Sequence, residues 1–227
     1  MNKCVALFTG GKESVFSILK VRELGYEVEE LIFLEKPRFS VHKVNIQAVK
    51  AVAQMLGHSL EVLKVNNEIP EDKSLTTYLE RLKERGITTL VTGNVKIEEN
   101  HNIYAELCEK VGLELVEPLY NRDTLELLIK YAEIGLDFLI IGIRKNSLSP
   151  EWLGKTITRE NFEDFLAEAL SNGIDPCGEY GEYHSLATRL SDLKIKLRFD
   201  FTVGEKSNQV SYLILKNPQA VKESKHE

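Results

Sequence analysis

The chain reads as an α/β protein in which a parallel sheet is covered by helices on both faces, followed by a smaller α+β part. Three observations predict this. Apolar runs at residues 4–8, 28–34, 60–65, 89–92, 115–116 and 136–142 alternate with amphipathic stretches of helical period, the rhythm of repeated strand and helix units. After residue 143 the rhythm stops, and a polar loop with Pro150, one helix and three short strands take over. The first apolar run also passes straight into the first helix through Thr9-Gly10-Gly11-Lys12-Glu13-Ser14, which suits a turn at the carboxyl end of a parallel strand. The division that follows is a domain over 1–143 and a smaller one over 144–227, expected to close over that end of the sheet.

Each element has a local reason. The first helix is expected over 15–24, with Val15, Ile18, Leu19 and Val21 as its apolar positions, and Glu35-Lys36-Pro37-Arg38 breaks the second strand. A helix over 45–56 stops at Gly57, a residue free to take the left-handed conformation of a helix end. Residues 67–74 read as polar loop, 75–85 as a helix closed by Gly86, 102–111 as a helix capped by Gly112, and 124–134 as a helix with Asp123 at its N-cap. The strongly apolar run 136–142 reads as the last strand of the parallel sheet. Beyond it come Trp152, a helix over 159–170, a Gly-rich stretch 173–181 and strands at 183–188, 194–203 and 209–215. The charged tail 216–227 lacks apolar periodicity and is expected to fray.

Composition narrows the function classes. With 227 residues and 43% hydrophobic ones, the chain can bury a full core. A net charge of −6 with scattered Lys and Arg argues against a large nucleic-acid footprint. There is no run of eighteen apolar residues to cross a membrane, and Met-Asn-Lys-Cys leads into a strand rather than a leader, so a cytoplasmic location is expected. Cys4, Cys108 and Cys177 form no Cys-x-x-Cys pair and read as core thiols, neither a disulfide framework nor a zinc site.

Two stretches carry chemistry. In the first, Gly10 and Gly11 let the backbone turn with its N–H groups exposed, the following helix adds the positive end of its dipole, Lys12 adds a full charge, and the hydroxyls of Thr9 and Ser14 can bond phosphate oxygens. It is not a Walker A loop, which needs four residues between its first Gly and the Gly-Lys-Ser/Thr end. The bland alternative is a helix start after a flexible turn. In the second, Asp175-Pro176-Cys177-Gly178-Glu179-Tyr180-Gly181-Glu182-Tyr183-His184-Ser185 gathers carboxylates and a histidine where a strand begins, and alternation would put Glu182 and His184 on one face. The bland alternative there is a turn leading into a polar strand edge.

Thr-Gly-Gly-Lys-Glu-Ser resembles the Ser-Gly-Gly-Lys-Asp-Ser loop of the N-type ATP pyrophosphatases, with Glu13 in place of Asp. Together with the second stretch it makes nearly the whole chain similar to the diphthine ammonia ligase family and its ATP-binding relatives. His42 with Asn45, Pro118-Leu119 before Arg122-Asp123, Trp152-Leu153-Gly154 and Gly178 through Tyr183 follow the family's order and spacing. Two places depart from it. Glu98-Glu99-Asn100-His101-Asn102-Ile103 stands where the family has Tyr-Gln and an Arg, and His184-Ser185 stands where the diphthine enzymes have Glu-Thr.

The resemblance implies a sheet of the adenine nucleotide α-hydrolase (HUP-like) kind, ATP and magnesium as cosubstrates, and an amide formed from a carboxylate and ammonia through an acyl-adenylate. It implies that Thr9, Gly10, Gly11, Lys12, Glu13, Ser14, His42, Gly93 and Asn94 bind ATP. Lys12, Glu179, Glu182 and His184 are the expected catalytic groups, and Glu13 and Glu182 the expected magnesium ligands. The acceptor of the founding enzymes is diphthine on translation elongation factor 2. The alternatives are an ATP pyrophosphatase acting on another metabolite or thiolating transfer RNA, and a nucleotide-binding module without chemistry.

Overall fold

The computed structural model describes residues 2–66, 72–206 and 209–223. They fall into two compact units. The first takes Met1–Thr9, Glu13–Phe39 and His58–Asn121, the second Gly10–Lys12, Ser40–Gly57 and Arg122–Glu227.

In the first unit, β1 (Lys3–Leu7), β2 (Glu27–Glu35), β3 (Leu60–Lys64), β4 (Thr89–Val91) and β5 (Glu114–Val116) form a sheet in the order β3-β2-β1-β4-β5. Every pairing is parallel. Its helices are α1 (Lys12–Glu23), which begins three residues earlier than expected, α4 (Lys73–Glu84) and α5 (Glu98–Val111). Val5, Ile32 and Leu90 from the strands close one core with Leu75, Leu79 and Leu82 of α4 and Leu107, Cys108 and Val111 of α5. Alternation turns Cys4 to the opposite face, where Arg22 of α1 lies near it; burial pushes the Cys4 thiol up to about 11 and Arg22 opposes that shift. Asp72 caps α4, its carboxylate accepting from the N–H groups of Ser74 and Leu75. Of the loop expected over 67–74, residues 67–71 lie outside the described residues.

The second unit is built on β6 (Leu136–Arg144), β7 (Thr156–Ile157), β8 (Tyr183–Leu190), β9 (Ile195–Lys206) and β10 (Val210–Lys222). The order is β10-β9-β8-β6-β7, and a further β10 to β6 pairing closes four of the strands on themselves. The helices α2 (Val41–Val44), α3 (Ile46–Met55), α6 (Thr124–Glu133) and α7 (Phe162–Ser171) belong to it. Phe165 of α7 meets Phe138, Trp152 and Tyr183 edge-on, with ring centroids 6.3, 5.2 and 5.4 Å away, and anchors the core.

Two expectations need correction. The run 136–142 is not the last strand of the parallel sheet: β6 pairs antiparallel with β7, β8 and β10. A continuous apolar run records that both faces are covered and says nothing of the direction of its neighbours. The helix expected over 45–56 is present as α3, and a separate single turn, α2, precedes it; between them Asn45 leaves helical geometry at φ −103° and ψ 29°, its side chain donating to Leu213 O of β10. The tail does not fray from 216 onward. β10 continues to Lys222, paired with Ile195 of β9 past an irregularity at Lys216/Gln219, so backbone bonding to a neighbour holds a segment that has no apolar pattern of its own. Residues 224–227 lie outside the described residues.

Candidate functional site

In the first unit the sheet order places β1 and β4 side by side, with β2 and β3 continuing one way from β1 and β5 the other way from β4. That is a topological switch point, where open parallel sheets bind ligands at the carboxyl ends of their strands. Thr9 to Lys12 follow β1, and Thr92 to Asn94 follow β4. A Cβ added to Gly93 would lie 3.1 to 3.2 Å from backbone atoms of Glu13 and Ser14, so only glycine lets these two segments approach so closely. Thr9 Oγ1 donates to Ser14 Oγ at 3.4 Å, which puts the two hydroxyls together at the start of α1. Asn94 is occupied locally: its Nδ2 donates to Ile97 O at 3.0 Å and its Oδ1 accepts from Ile97 N at 3.2 Å.

The middle of the loop, Gly10–Lys12, belongs to the second unit. Gly10 has φ 75°, and a Cβ there would stand 3.0 Å from Leu186 Cδ1. Its carbonyl accepts from Ala187 N at 2.8 Å, and Lys12 N donates to Ser185 Oγ at 3.3 Å. The Lys12 side chain is 2% exposed. Its Nζ donates to Cys177 O at 2.7 Å and lies 4.6 Å from the Tyr183 ring centre and 5.5 Å from that of Phe138. The expected phosphate-binding lysine thus has protein partners of its own, a carbonyl and two aromatic faces.

The second stretch is organised around the same lysine. Asp175 caps its turn, Oδ1 accepting from Cys177 N at 2.9 Å and Oδ2 from Thr124 Oγ1 at 2.9 Å. The Tyr183 hydroxyl donates to Pro176 O at 2.7 Å, and its ring covers Gly178 so closely that a Cβ there would sit 2.7 Å from it. Glu182 is 4% exposed, and its Oε2 accepts from Tyr180 N at 2.9 Å; it precedes β8 and turns back onto its own loop instead of sharing a strand face with His184. Glu179 is half-buried beside it. His184 meets His42 edge-on at 5.8 Å, and burial first, then the Lys12 charge, hold its imidazole below the ordinary histidine range. Asn45, the partner of His42 in the motif, is 2% exposed, and its amide donates to Leu213 O and accepts from Leu215 N, both at 2.8 Å. It completes the edge of β10 as a strand would.

A second polar network in the first unit escaped the sequence reading. Past β4 and β5, Thr92 Oγ1 donates to Glu117 Oε1 at 2.5 Å, and Glu117 Oε2 is 2.5 Å from His101 Nδ1. His101 stacks on Tyr120, with centroids 4.5 Å apart and planes 10° from parallel. His101 stood inside the segment that departs from the family pattern, and Glu117 directly precedes Pro118-Leu119; no spacing in the sequence joins the two.

Magnesium held with ATP needs only one or two protein carboxylates alongside phosphate oxygens. Glu13 in the first turn of α1 suits that requirement, whereas Glu182 already accepts from its own loop. Among the described residues no group of three or more His, Cys, Asp or Glu stands where it could hold a metal alone, and no helix is long and apolar enough to cross a membrane.

The chain is 26% identical over 237 residues to diphthine–ammonia ligase of Schizosaccharomyces pombe, covering 94% of this chain and 39% of that protein. It is 25% identical over 224 residues to diphthine–ammonia ligase of Danio rerio, covering 88% of this chain and 87% of the relative. It thus spans well under half the length of the yeast protein and most of the zebrafish one. A solved structure, described as a predicted subunit of tRNA methyltransferase from Methanocaldococcus jannaschii, aligns over 84% of this chain and 98% of its own with a TM-score of 0.47 and 18% identity, a likeness too loose to bear on function. The diphthamide synthase N-terminal domain matches residues 2–115 and the C-terminal domain residues 123–214, so the chain belongs to the diphthamide synthase family.

Proposed function

We propose that this protein is an ATP-dependent ligase that converts a carboxylate and ammonia into an amide, releasing AMP and pyrophosphate, with diphthine on elongation factor 2 as the acceptor. The observation that carries the reading is the glycine turn and the start of α1 at the switch point of a parallel sheet. Two relatives named for this reaction support it.

In this reading the N–H groups of Gly10 and Gly11 and the hydroxyls of Thr9 and Ser14 hold the β and γ phosphates, and Glu13 would hold a magnesium ion that neutralises charge on them. The acceptor carboxylate attacks the α phosphorus, pyrophosphate leaves, and ammonia displaces AMP from the acyl carbon. Lys12 takes a positioning role: its N–H donates to Ser185 Oγ and its Nζ to the Cys177 carbonyl, so both ends of the residue are held by the 175–185 stretch. His42, Gly93 and Asn94 line the nucleotide, and Glu179, Glu182 and His184 serve the acceptor side. Catalysis is mostly positioning and charge stabilisation.

The test is to incubate the protein with ATP labelled at the α phosphate, ammonium and elongation factor 2 carrying diphthine. AMP, pyrophosphate and the mass change of a carboxylate turned amide are expected. Release of ADP and phosphate would overturn the adenylate route, and AMP formation without any change in the elongation factor would overturn the acceptor.

A further inference from the structure

We propose that His101, oriented by Glu117, is the general base that takes a proton from ammonium before it attacks the acyl-adenylate. The inference rests on the ligase reading above and names a catalytic group for it.

Ammonium is the bulk species at neutral pH and has no lone pair, so an ammonia-using ligase must remove a proton near the reacting carbon. The polar groups past β4 and β5 are built for that task. Glu117 has a side chain 4% exposed and is fixed at one oxygen by the Thr92 hydroxyl. Its other oxygen accepts from His101 Nδ1–H, and this bond assigns the tautomer with the lone pair on Nε2, as a carboxylate does for a catalytic imidazole. Tyr120 stacks on one face of the ring and sets its plane, while the side chain stays 37% exposed and open to a small cation.

Position agrees with the role. Thr92 is bonded to Gly93, whose backbone abuts Glu13 and Ser14 at the start of α1, and Thr92 Oγ1 also accepts from Asn94 N at 3.3 Å. The dyad is therefore anchored to the same strand end as the phosphate loop. Two ionisable groups on α5 that feel the Glu117 charge do not compete near neutral pH. Tyr104 on α5 is raised to about 12 by burial and then by Glu117, with Arg38 opposing, and Cys108 on the same helix is likewise pushed up to about 12. Glu98, one turn before His101, adds a carboxylate of the sign that favours a bound cation.

The step balances. Ammonium gives one proton to Nε2 and becomes ammonia; its lone pair forms the C–N bond as the C–O bond to AMP breaks. AMP departs with that electron pair, and the second proton lost by nitrogen and the one on imidazole pass to solvent.

Hydroxylamine, already unprotonated at neutral pH, needs no base and separates the chemistry from the fold. His101→Asn keeps a donor toward Glu117 and removes Nε2. It is expected to lower kcat/KM for ammonium about 100-fold at pH 7 while leaving hydroxylamine turnover within about threefold, with the ammonium deficit shrinking toward pH 9 as free ammonia rises. Acceptor-dependent exchange of pyrophosphate into ATP should be unchanged. Equal losses with both nucleophiles, or none with ammonium, would overturn the role of His101. A wild-type protein that shows neither exchange nor AMP formation would overturn the ligase reading instead. Should the variant fail to fold, the wild-type pH profile decides: ammonium kcat/KM that tracks free ammonia alone from pH 6 to 9 would exclude a protein base.

Discussion

The two units treat their polar side chains differently. Those of the first unit that face the switch point are joined to one another and to short loops: Thr9 with Ser14, Thr92 with Glu117, Glu117 with His101. Motif residues of the second unit bond to other parts of the protein: Lys12 to a carbonyl and two rings, Asn45 to the edge of β10, Glu182 to a turn N–H. In a closed antiparallel sheet a buried polar group is held in place because leaving it unpaired costs free energy, whereas the end of a parallel sheet leaves hydroxyls and helix N–H groups directed at a ligand.

Substitutions can break or sharpen that contrast, and the largest effect is expected at Lys12. Lys12→Ala removes a buried charge-assisted hydrogen bond and two cation–π contacts, and should lower the unfolding free energy by about 3 kcal/mol in urea titrations. Stability within about 0.5 kcal/mol of wild type, coupled with lost ATP binding, would return the lysine to the phosphates.

Asn45→Ala should cost about 2 to 3 kcal/mol, because the Leu213 carbonyl and the Leu215 N–H lose their side-chain partner inside the protein. ATP affinity measured by calorimetry should not change once the fraction folded is accounted for. A specific loss of affinity would place this residue with the nucleotide.

Gly93→Ala, in the first unit, should cost about 1 to 2 kcal/mol, since its Cβ would push on the backbone of Glu13 and Ser14. Here the contrast runs the other way, and ATP binding should suffer more than stability. Intact ATP affinity would remove the segment after β4 from the nucleotide site.

The smallest effect concerns pH. The folded-state pKa of His184 lies below its unfolded value near 6.5, so the unfolded chain binds the proton more readily. Its contribution to stability is whole above about pH 6.5 and declines as pH falls below it. Between pH 7.5 and 5.5 the wild type should lose more stability than His184→Gln; parallel curves would show that burial and Lys12 do not disfavour the imidazolium. The difference curve also cancels His58, which burial and Arg22 lower in the same sense.

Much of this was legible in the chain. Each parallel strand was set by an apolar run bounded by a break, and the ends of α5 and α6 by Gly112 at φ 75° and Asp123 at the N-cap, because these signals act within a few residues. The glycine loop was visible for the same reason: a turn that exposes backbone N–H groups before a helix is a local property. What stayed hidden was decided by partners far along the chain. The direction of β6 depends on β8 and β10, the break at Asn45 on an edge 168 residues away, and the burial of Lys12 on a carbonyl 165 residues away. His101 and Glu117 are 16 residues apart and meet only because α5 and β5 bring their ends together. The sequence by itself determined most of the strands and helices and marked the glycine turn before α1. The tertiary structure alone decided which polar side chains bond to which partners, since that depends on backbone groups far along the chain that must themselves be satisfied.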